Sequence, residues 1–152
     1  MAETEAKAPA LLIDAMFGDL SRRLRWLGYD AEYRNDLSDE EMMRIAQEDD
    51  RLLITRDRAL AGRRGVQALY VAAADLNAQV QTVVDALGPS CGPARCTVCN
   101  GELEPLSTDQ AAPLVPPYVV RTQTDFIRCT RCQRVYWPGT HWPGLQSWGD
   151  RT

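Results

Sequence analysis

Apolar residues in the stretch 11–88 alternate between strand-like and helix-like spacing. Short runs without polar residues indicate strands that are buried on both faces, and apolar residues three and four apart indicate amphipathic helices between them. Strands that are separated by helices form parallel sheets through right-handed crossovers. The pattern therefore predicts an α/β fold with a parallel sheet flanked by helices, and its predicted strands are Leu11–Ile13, Ala31–Arg34, Leu52–Thr55 and Ala68–Ala72.

Helix-start signals fall between these predicted strands. The first helix is expected over residues 17–27, where apolar side chains recur at helical spacing. Ser38 and Glu41 have the spacing of a capping box, which predicts that a second helix begins there. A short third helix is expected near residues 59–63, and Asp75 is placed to cap a fourth.

Residues 89–152 have a different composition. They contain eight of the nine prolines, all five cysteines and three of the four tryptophans, and few stretches have helical spacing. A segment of this size with so little aliphatic content cannot be stabilised by its apolar core alone and requires a cross-link such as a bound metal ion or disulfides. We therefore expect a disordered tail at 1–10, an α/β domain at 11–89, a metal-stapled module at 90–145 and a C-terminal tail at 146–152.

Four of the cysteines form two Cys-x-x-Cys pairs, Cys96 with Cys99 and Cys129 with Cys132. Four thiolates in this arrangement match the tetrahedral coordination of Zn²⁺, and a site with four protein ligands is structural. Two disulfides are the alternative, which the lack of a secretion signal disfavours, and a four-thiolate iron site is another. The spacing predicts a zinc ribbon in which Cys91 is a spare thiol.

Charge and hydropathy limit the partners and the cellular location that we expect for the protein. The net charge of −4 argues against broad, non-specific binding of nucleic acid. Lys7 is the single lysine among 17 basic residues, and arginine suits bidentate phosphate contacts, although codon bias would produce the same excess. No apolar run approaches the roughly 18 residues that cross a bilayer, and residues 1–10 lack an apolar signal core. We expect a cytoplasmic protein that does not enter membranes.

Acidic residues follow the predicted strands at the points where the strands end. Asp14 comes directly after the first strand and Asp57 comes shortly after the third. Ligands of an open parallel sheet bind beyond the carboxyl ends of its strands, so these two acids would face each other if their strands are neighbours. Asp39 begins a helix at the same edge, and Asp75 follows the fourth strand. Together they would bind Mg²⁺ or Mn²⁺, although Asp39 and Asp75 are also ordinary helix-start residues.

Arginines lie close to these acids, in the first helix and on both sides of Asp57. They can bind phosphate beside a metal ion, or they can form a solvated helix face. The single histidine lies among tryptophans near the C-terminus, where it can stack on a nucleic-acid base or pack among the aromatic rings. The candidate nucleic-acid-binding residues are Arg22, Arg23, Arg25, Arg56, Arg58 and His141.

These motifs, in this order, resemble the PIN-like ribonuclease family named for the Mut-seven C-terminal RNase domain. The resemblance covers about residues 11–145, and the matching stretches are 12–30, 38–46, 51–60, 96–101 and 129–142. It implies a PIN-like fold, a C-terminal zinc ribbon and hydrolysis of RNA at acids that bind divalent metal. By position these acids are Asp14, Asp39 and Asp57. PIN nucleases often have a fourth acid, which only Asp75 can supply, so the number of metal ions stays open.

Other functions fit parts of the pattern. A degenerate PIN fold with a ribbon would bind RNA or protein without cutting it, and the intact acid set weighs against this. A response-regulator receiver needs a lysine late in the domain, and the only lysine is Lys7. A haloacid-dehalogenase phosphatase needs an aspartate where Met16 stands. A nuclease that is the toxin of a toxin–antitoxin pair stays open, as do a ribonucleoprotein partner and the oligomeric state.

Overall fold

A four-stranded parallel sheet forms the centre of the first half of the chain. The computed structural model describes residues 8–90 and 92–138. Every strand pair in this sheet is parallel, and the order is β2-β1-β3-β4. The predicted α/β fold is confirmed, and β1 and β3 are neighbours. The strands are β1 (Leu11–Ile13), β2 (Ala31–Tyr33), β3 (Leu52–Thr55) and β4 (Ala68–Tyr70).

Helices follow each strand of this sheet. A short 3₁₀ turn (Ala15–Phe17) leads into the first helix, and Ser38 caps the second through the predicted capping box with Glu41. No helix in the described part of the chain is long and apolar enough to span a bilayer. The helices are α1 (Gly18–Trp26), α2 (Asp39–Glu48), α3 (Arg58–Ala61) and α4 (Leu76–Leu87).

Two strands end earlier than the sequence predicts. β2 ends at Tyr33 rather than Arg34, and β4 ends at Tyr70 rather than Ala72. Their neighbours explain the difference, since Tyr33 pairs with the last residue of β1 and Tyr70 with the last residue of β3. Beyond these residues there is no strand left with which to pair.

The side chains of β1 alternate between two apolar layers. Leu11 and Ile13 are buried in the layer that contains residues of α1 and α4, whereas Leu12 is buried in the layer that contains residues of α2 and α3. Complete burial of such a side chain stabilises the fold by roughly 1.5–3 kcal/mol. Because both faces of the central strands are covered, charged residues near β1 and β3 reach solvent beyond the strand ends.

The second half of the chain contains a three-stranded antiparallel sheet with a helical insertion. Its strands lie in the order β5-β6-β7, and the insertion connects β5 to β6. The sequence predicts little helix here, although Ser107 and Gln110 have the spacing of a capping box and form one. The elements are β5 (Leu103–Leu106), α5 (Thr108–Ala111), a 3₁₀ turn (Ala112–Leu114), α6 (Pro117–Thr122), β6 (Phe126–Cys129) and β7 (Val135–Tyr136).

The two halves share an apolar cluster around Trp26, the last residue of α1. Trp26 is 1% exposed and packs with Ala94, Ile127 and Tyr136 of the second half. The rings of Trp26 and Tyr136 are tilted, with their centroids 5.9 Å apart. The secondary structure changes near residue 90, where the sequence predicts a boundary, but Trp26 of the first half belongs to the apolar cluster of the second.

Asn100 connects the second half to the edge of the parallel sheet. Its side chain accepts a hydrogen bond from the Ala31 N–H at 3.1 Å and donates to Asp30 at 2.7 Å and to Glu32 at 2.9 Å. Burial alone would raise the pKa of Asp30, but hydrogen bonds from Arg51 and Asn100 lower it below its ordinary value. Because β2 is an edge strand, Asn100 occupies a backbone donor that the sheet leaves open.

Candidate functional site

Asp14 and Asp57 stand at the edge of the parallel sheet where the strand order reverses. The chain passes from β1 to β2 on one side, and β3 then pairs with β1 on the other side. Such a switch point leaves a crevice beyond the carboxyl ends of the strands, where ligands bind. Asp14 follows β1 directly and donates its N–H to the Ile54 carbonyl of β3 at 3.0 Å. The structure therefore brings the segments that carry these two acids together.

Thr55, the last residue of β3, connects the two acids through its hydroxyl group. The hydroxyl donates to Asp14 Oδ2 at 2.8 Å and accepts from the Asp57 N–H at 3.0 Å. Thr55 is completely buried, so its hydroxyl requires partners of this kind. Sequence reasoning did not select Thr55, although a hydroxyl residue at the end of an otherwise apolar strand is a usable signal.

Three of the four predicted acids cap helices that begin at this edge. Asp14 accepts from the Ala15 N–H at 2.7 Å. Asp57 accepts from two N–H groups of α3 through the same oxygen, Oδ1. Asp75 accepts from the Ala78 N–H at 3.0 Å and so acts as the ordinary helix-start acid that the sequence left as one alternative.

Asp39 occupies the first turn of α2, one residue after the cap Ser38. Within residues 8–90 and 92–138, the single group of three or more His, Cys, Asp or Glu side chains close enough to share a metal ion consists of cysteines. The carboxylates of Asp14, Asp39 and Asp57 therefore do not form a closed ligand set. The physical reason is that like charges repel and that capping bonds orient Asp14 and Asp57 toward separate helices.

A crevice of about 540 Å³ opens at the start of α1 on this side of the sheet. Arg22, Tyr33 and Arg56 are among its lining residues. Arg56 donates to the Ala73 carbonyl, and its guanidinium lies 5.6 Å from the centre of the Phe17 ring. Arg56 thus joins the segments that follow β3 and β4, in addition to being a predicted RNA-binding residue.

Arg58 packs against an aromatic ring beside Asp57. Its guanidinium lies 4.8 Å from the centre of the Tyr70 ring, and its Nε donates to the Tyr70 hydroxyl at 3.3 Å. The side chain is exposed. A stacked, exposed guanidinium next to the acids presents a flat cationic surface of the kind that contacts nucleic acid.

The arginines of α1 divide into exposed and buried positions. Arg22 and Arg23 are exposed; Arg22 pairs with Asp19, and Arg23 donates to Asn77 at 3.5 Å. The predicted exposure of Arg25 is wrong, because this side chain is only 6% exposed. Arg25 lies one helical turn after the buried Ser21, so it faces inward.

The guanidinium of Arg25 donates its hydrogen bonds to groups inside the protein. It donates to the carbonyl of Ala31 and to that of Thr97, each at 2.8 Å. Burial lowers the pKa of Arg25, and Glu32 opposes the shift. Arg25 therefore connects the first Cys-x-x-Cys loop to the parallel sheet, and little of its side chain is exposed to a ligand. The last predicted RNA-binding residue, His141, lies outside the described residues.

The four cysteines Cys96, Cys99, Cys129 and Cys132 form a metal-binding cluster. Their sulfur atoms all lie within 4.8 Å of one another. The Cys96–Cys132 sulfurs are 3.7 Å apart and the Cys99–Cys129 sulfurs 3.4 Å apart, far beyond the roughly 2 Å of a disulfide. A tetrahedral zinc with Zn–S bonds of about 2.3 Å requires sulfurs about 3.8 Å apart. The residues fit a structural zinc ion, as the spacing predicts.

The backbone around the cluster is shaped for sulfur ligands. A Cβ atom on Gly101 would lie 2.7 Å from the Cys129 sulfur, so only glycine fits there. Burial would raise the pKa of Cys129, but hydrogen bonds from the N–H groups of Cys132 and Arg131 lower it to about 7. Burial and then the neighbouring Cys129 raise the pKa of Cys99 to about 12. Cys129 thus favours the thiolate form that binds metal, and Cys91 lies outside the described residues.

One family model matches almost the whole chain. The Mut7-C RNAse domain model covers residues 9–148. The chain belongs to the Mut7-C RNAse domain family. In this Mut7-C chain the matched range contains both the parallel sheet and the cysteine cluster, so the two halves belong to one family unit. No curated protein and no solved structure matches the chain.

Membership in the Mut7-C family assigns an RNase role and RNA as the class of substrate. The four-cysteine cluster of the Mut7-C chain is positioned to bind one metal ion. The remaining chemical question concerns the acids at the carboxyl edge of the parallel sheet.

Proposed function

We propose that this protein is a divalent-metal-dependent ribonuclease that hydrolyses RNA phosphodiester bonds at the Asp14–Asp57 edge of the parallel sheet. The observation that carries the proposal is the hydrogen-bonded connection Asp14–Thr55–Asp57 at the switch point of the sheet. Two acids at a ligand-binding edge, one held by a buried hydroxyl through its carboxylate and the other through its backbone, are suited to hold a cation.

The donor set at this edge fits Mg²⁺ or Mn²⁺. Carboxylate oxygens are the hard ligands that these ions prefer. Asp14 and Asp57 would hold the ion, and Asp39 would complete the set because α2 also begins at this edge. Asp75 would flank the site with a weaker contribution, since it caps α4. When bound, the ion polarises the phosphate and lowers the pKa of an attacking water.

The chain's own groups orient the acids and bind the substrate. The hydroxyl of Thr55 fixes Asp14 Oδ2, and the N–H groups of α3 fix Asp57 Oδ1. Arg22, which lines the crevice, and Arg58, which is exposed beside Asp57, would bind the RNA phosphates. Arg56 would support the crevice through its bond to the Ala73 carbonyl.

A structural zinc ion bound by the four cysteines would stabilise the fold in which this site is built. The cluster lies in the same apolar layer as Trp26 at the end of α1. Tyr136, which packs on Trp26, also lies 3.2 Å from the Cys96 sulfur through its hydroxyl. Loss of the metal would therefore disturb α1 as well as the ribbon.

Cleavage assays with the full chain test the proposal. Labelled RNA and DNA of one sequence, in single-stranded and hairpin forms, are incubated with protein in metal-free buffer and with added Mn²⁺ or Mg²⁺. We expect cleavage of RNA only when divalent metal is added. An RNA that is bound but never cut, in any metal, would favour the alternative of a non-catalytic binding module.

A further inference from the structure

Two hollows meet on the outer side of α1. The crevice at the carboxyl edge of the sheet continues into a second hollow of about 200 Å³ that reaches Thr97 in the first Cys-x-x-Cys loop. Asp19, Arg22 and Leu76 line both hollows. The shared residues join the two hollows into a groove along α1, from the carboxyl edge of the sheet to the cysteine ribbon.

The groove is cationic in a chain whose net charge is −4. The side chain of Arg22 is 57% exposed and Arg23 is also exposed, whereas Asp19 supplies a single opposing charge. Phosphate groups are the natural partners of such a surface.

Apolar and backbone groups stand at the ribbon end of the groove. Val98 is 53% exposed at the tip of the first Cys-x-x-Cys loop, next to Thr97. The bond from Arg25 to the Thr97 carbonyl and the bonds of Asn100 hold this loop against the sheet. Apolar side chains can pack on an unpaired base, and arginines bind the phosphates beside it.

We propose that a single-stranded RNA follows this groove from the Asp14–Asp57 edge to the Thr97–Val98 tip, so that the ribbon is a second contact for the strand being cut. This inference rests on the proposed function. The nine residues of α1 span about 13 Å, which corresponds to about four stacked nucleotides. RNAs that extend at least that far from the cut bond would reach the ribbon, and shorter ones would not.

Binding measured against RNA length tests this groove. Fluorescence anisotropy with labelled oligouridines of two to twelve nucleotides, without added Mg²⁺ or Mn²⁺, gives the Kd of each variant. We expect Arg23→Ala and Val98→Glu to weaken binding of the longest RNAs by about five- to tenfold and to leave the shortest within about twofold. Arg23→Ala should also reduce the slope of log Kd against log salt concentration by about 0.7, the value for one lost phosphate contact on a single strand.

Matched controls separate the groove from general charge effects. Arg64→Ala removes the same charge from an exposed residue between α3 and β4, and Leu114→Glu adds the same charge to an equally exposed apolar residue in the insertion. Both should bind long RNA as the unmodified protein does. A photo-crosslinking thiouridine in a long RNA should label the 96–99 loop.

The outcomes distinguish this inference from the proposed function. If RNA is cut in a metal-dependent manner but both groove variants bind long RNA normally, the groove assignment is wrong and the nuclease assignment stands. If the groove variants lose binding but no RNA is cut, the groove is an RNA-binding surface and the nuclease assignment is wrong. If no oligouridine binds or crosslinks to the 96–99 loop, the groove does not bind RNA, and a protein ligand would have to be sought there.

Discussion

At the scale of single residues, the carboxyl edge of the sheet depends on a buried hydroxyl as much as on its acids. Thr55 donates to Asp14 and accepts from the backbone of Asp57, so one side chain sets the positions of both. A carboxylate that is fixed before substrate binds requires less rearrangement when a metal ion and a phosphate arrive. Thr55 is thus a positioning residue.

Replacing Thr55 tests this role. Thr55→Val keeps the shape but removes the hydroxyl, so we expect Mn²⁺ affinity or kcat to fall by about 10- to 100-fold while the KM for RNA changes little. The variant should also lose about 1–3 kcal/mol of unfolding free energy, because the Asp57 N–H loses its partner. Thr55→Ser should restore metal affinity. If Mn²⁺ titration gives equal metal affinity and cleavage assays give equal kcat for all three proteins, Thr55 has a purely structural role.

Individual residues also show where sequence reasoning reaches its limit. The positions of Asp14 and Asp57 follow from the parallel sheet, because strand ends of one direction share an edge. The inward direction of Arg25 could have been inferred from its helical phase with Ser21, but its partner Thr97 is 72 residues away. Local patterns do not report such distant carbonyl groups.

At the scale of elements, hydrophobic spacing was sufficient for the first half of the chain and insufficient for the second. All four predicted strands and the helices between them are present, because β1, β3 and β4 are almost entirely apolar and three of the four helices begin at a side-chain cap. The α5–α6 insertion was missed because its helices are only four and six residues long, too short for apolar spacing to repeat. Its Ser107–Gln110 capping box was the available signal.

The contact between the first Cys-x-x-Cys loop and strand β2 yields a prediction at this scale. Asn100→Ala removes three hydrogen bonds from a buried residue, two of them to carboxylates, and should lower the free energy of unfolding by about 2–4 kcal/mol. Asn100 has a φ of 70°, so part of this loss is backbone strain. Asn100→Gly, which relieves that strain, should be about 1 kcal/mol more stable than the alanine variant in urea unfolding. Losses below about 0.5 kcal/mol in both variants would show that the loop does not depend on this contact.

At the scale of the whole molecule, the four-cysteine cluster and the α/β sheet are connected by direct contacts. Trp26, Arg25 and Asn100 join them through packing and through hydrogen bonds in both directions. The composition of residues 89–152 predicts a separate module, because composition is a property of the segment alone and does not report its contacts with the rest of the chain. The shared cluster instead predicts that the two halves unfold together.

Removing one zinc ligand tests this connection. Binding of structural zinc contributes roughly 10 kcal/mol or more to folding in small four-ligand modules. Elemental analysis should therefore show that Cys99→Ser has lost its zinc. The same variant should have a lower melting temperature, and hydrogen exchange at β1 and β3 should show that the α/β half is destabilised as well. Cys91→Ser, which changes a cysteine outside the two Cys-x-x-Cys pairs, is the matched control and should change neither. An α/β half that keeps its exchange protection in Cys99→Ser would show two independent domains.

The most direct test of the account is the rate of RNA cleavage by Asp14→Asn and Asp57→Asn, beside Asp85→Asn as an exposed acid of α4. Asparagine keeps the shape and one oxygen but removes the charge that a divalent ion requires. The account predicts a loss of roughly a thousandfold or more for the first two variants, which corresponds to several kcal/mol at about 1.4 kcal/mol per tenfold. It predicts unchanged cleavage by Asp85→Asn and folded proteins throughout. Cleavage at the unmodified rate by both Asp14→Asn and Asp57→Asn would contradict the account.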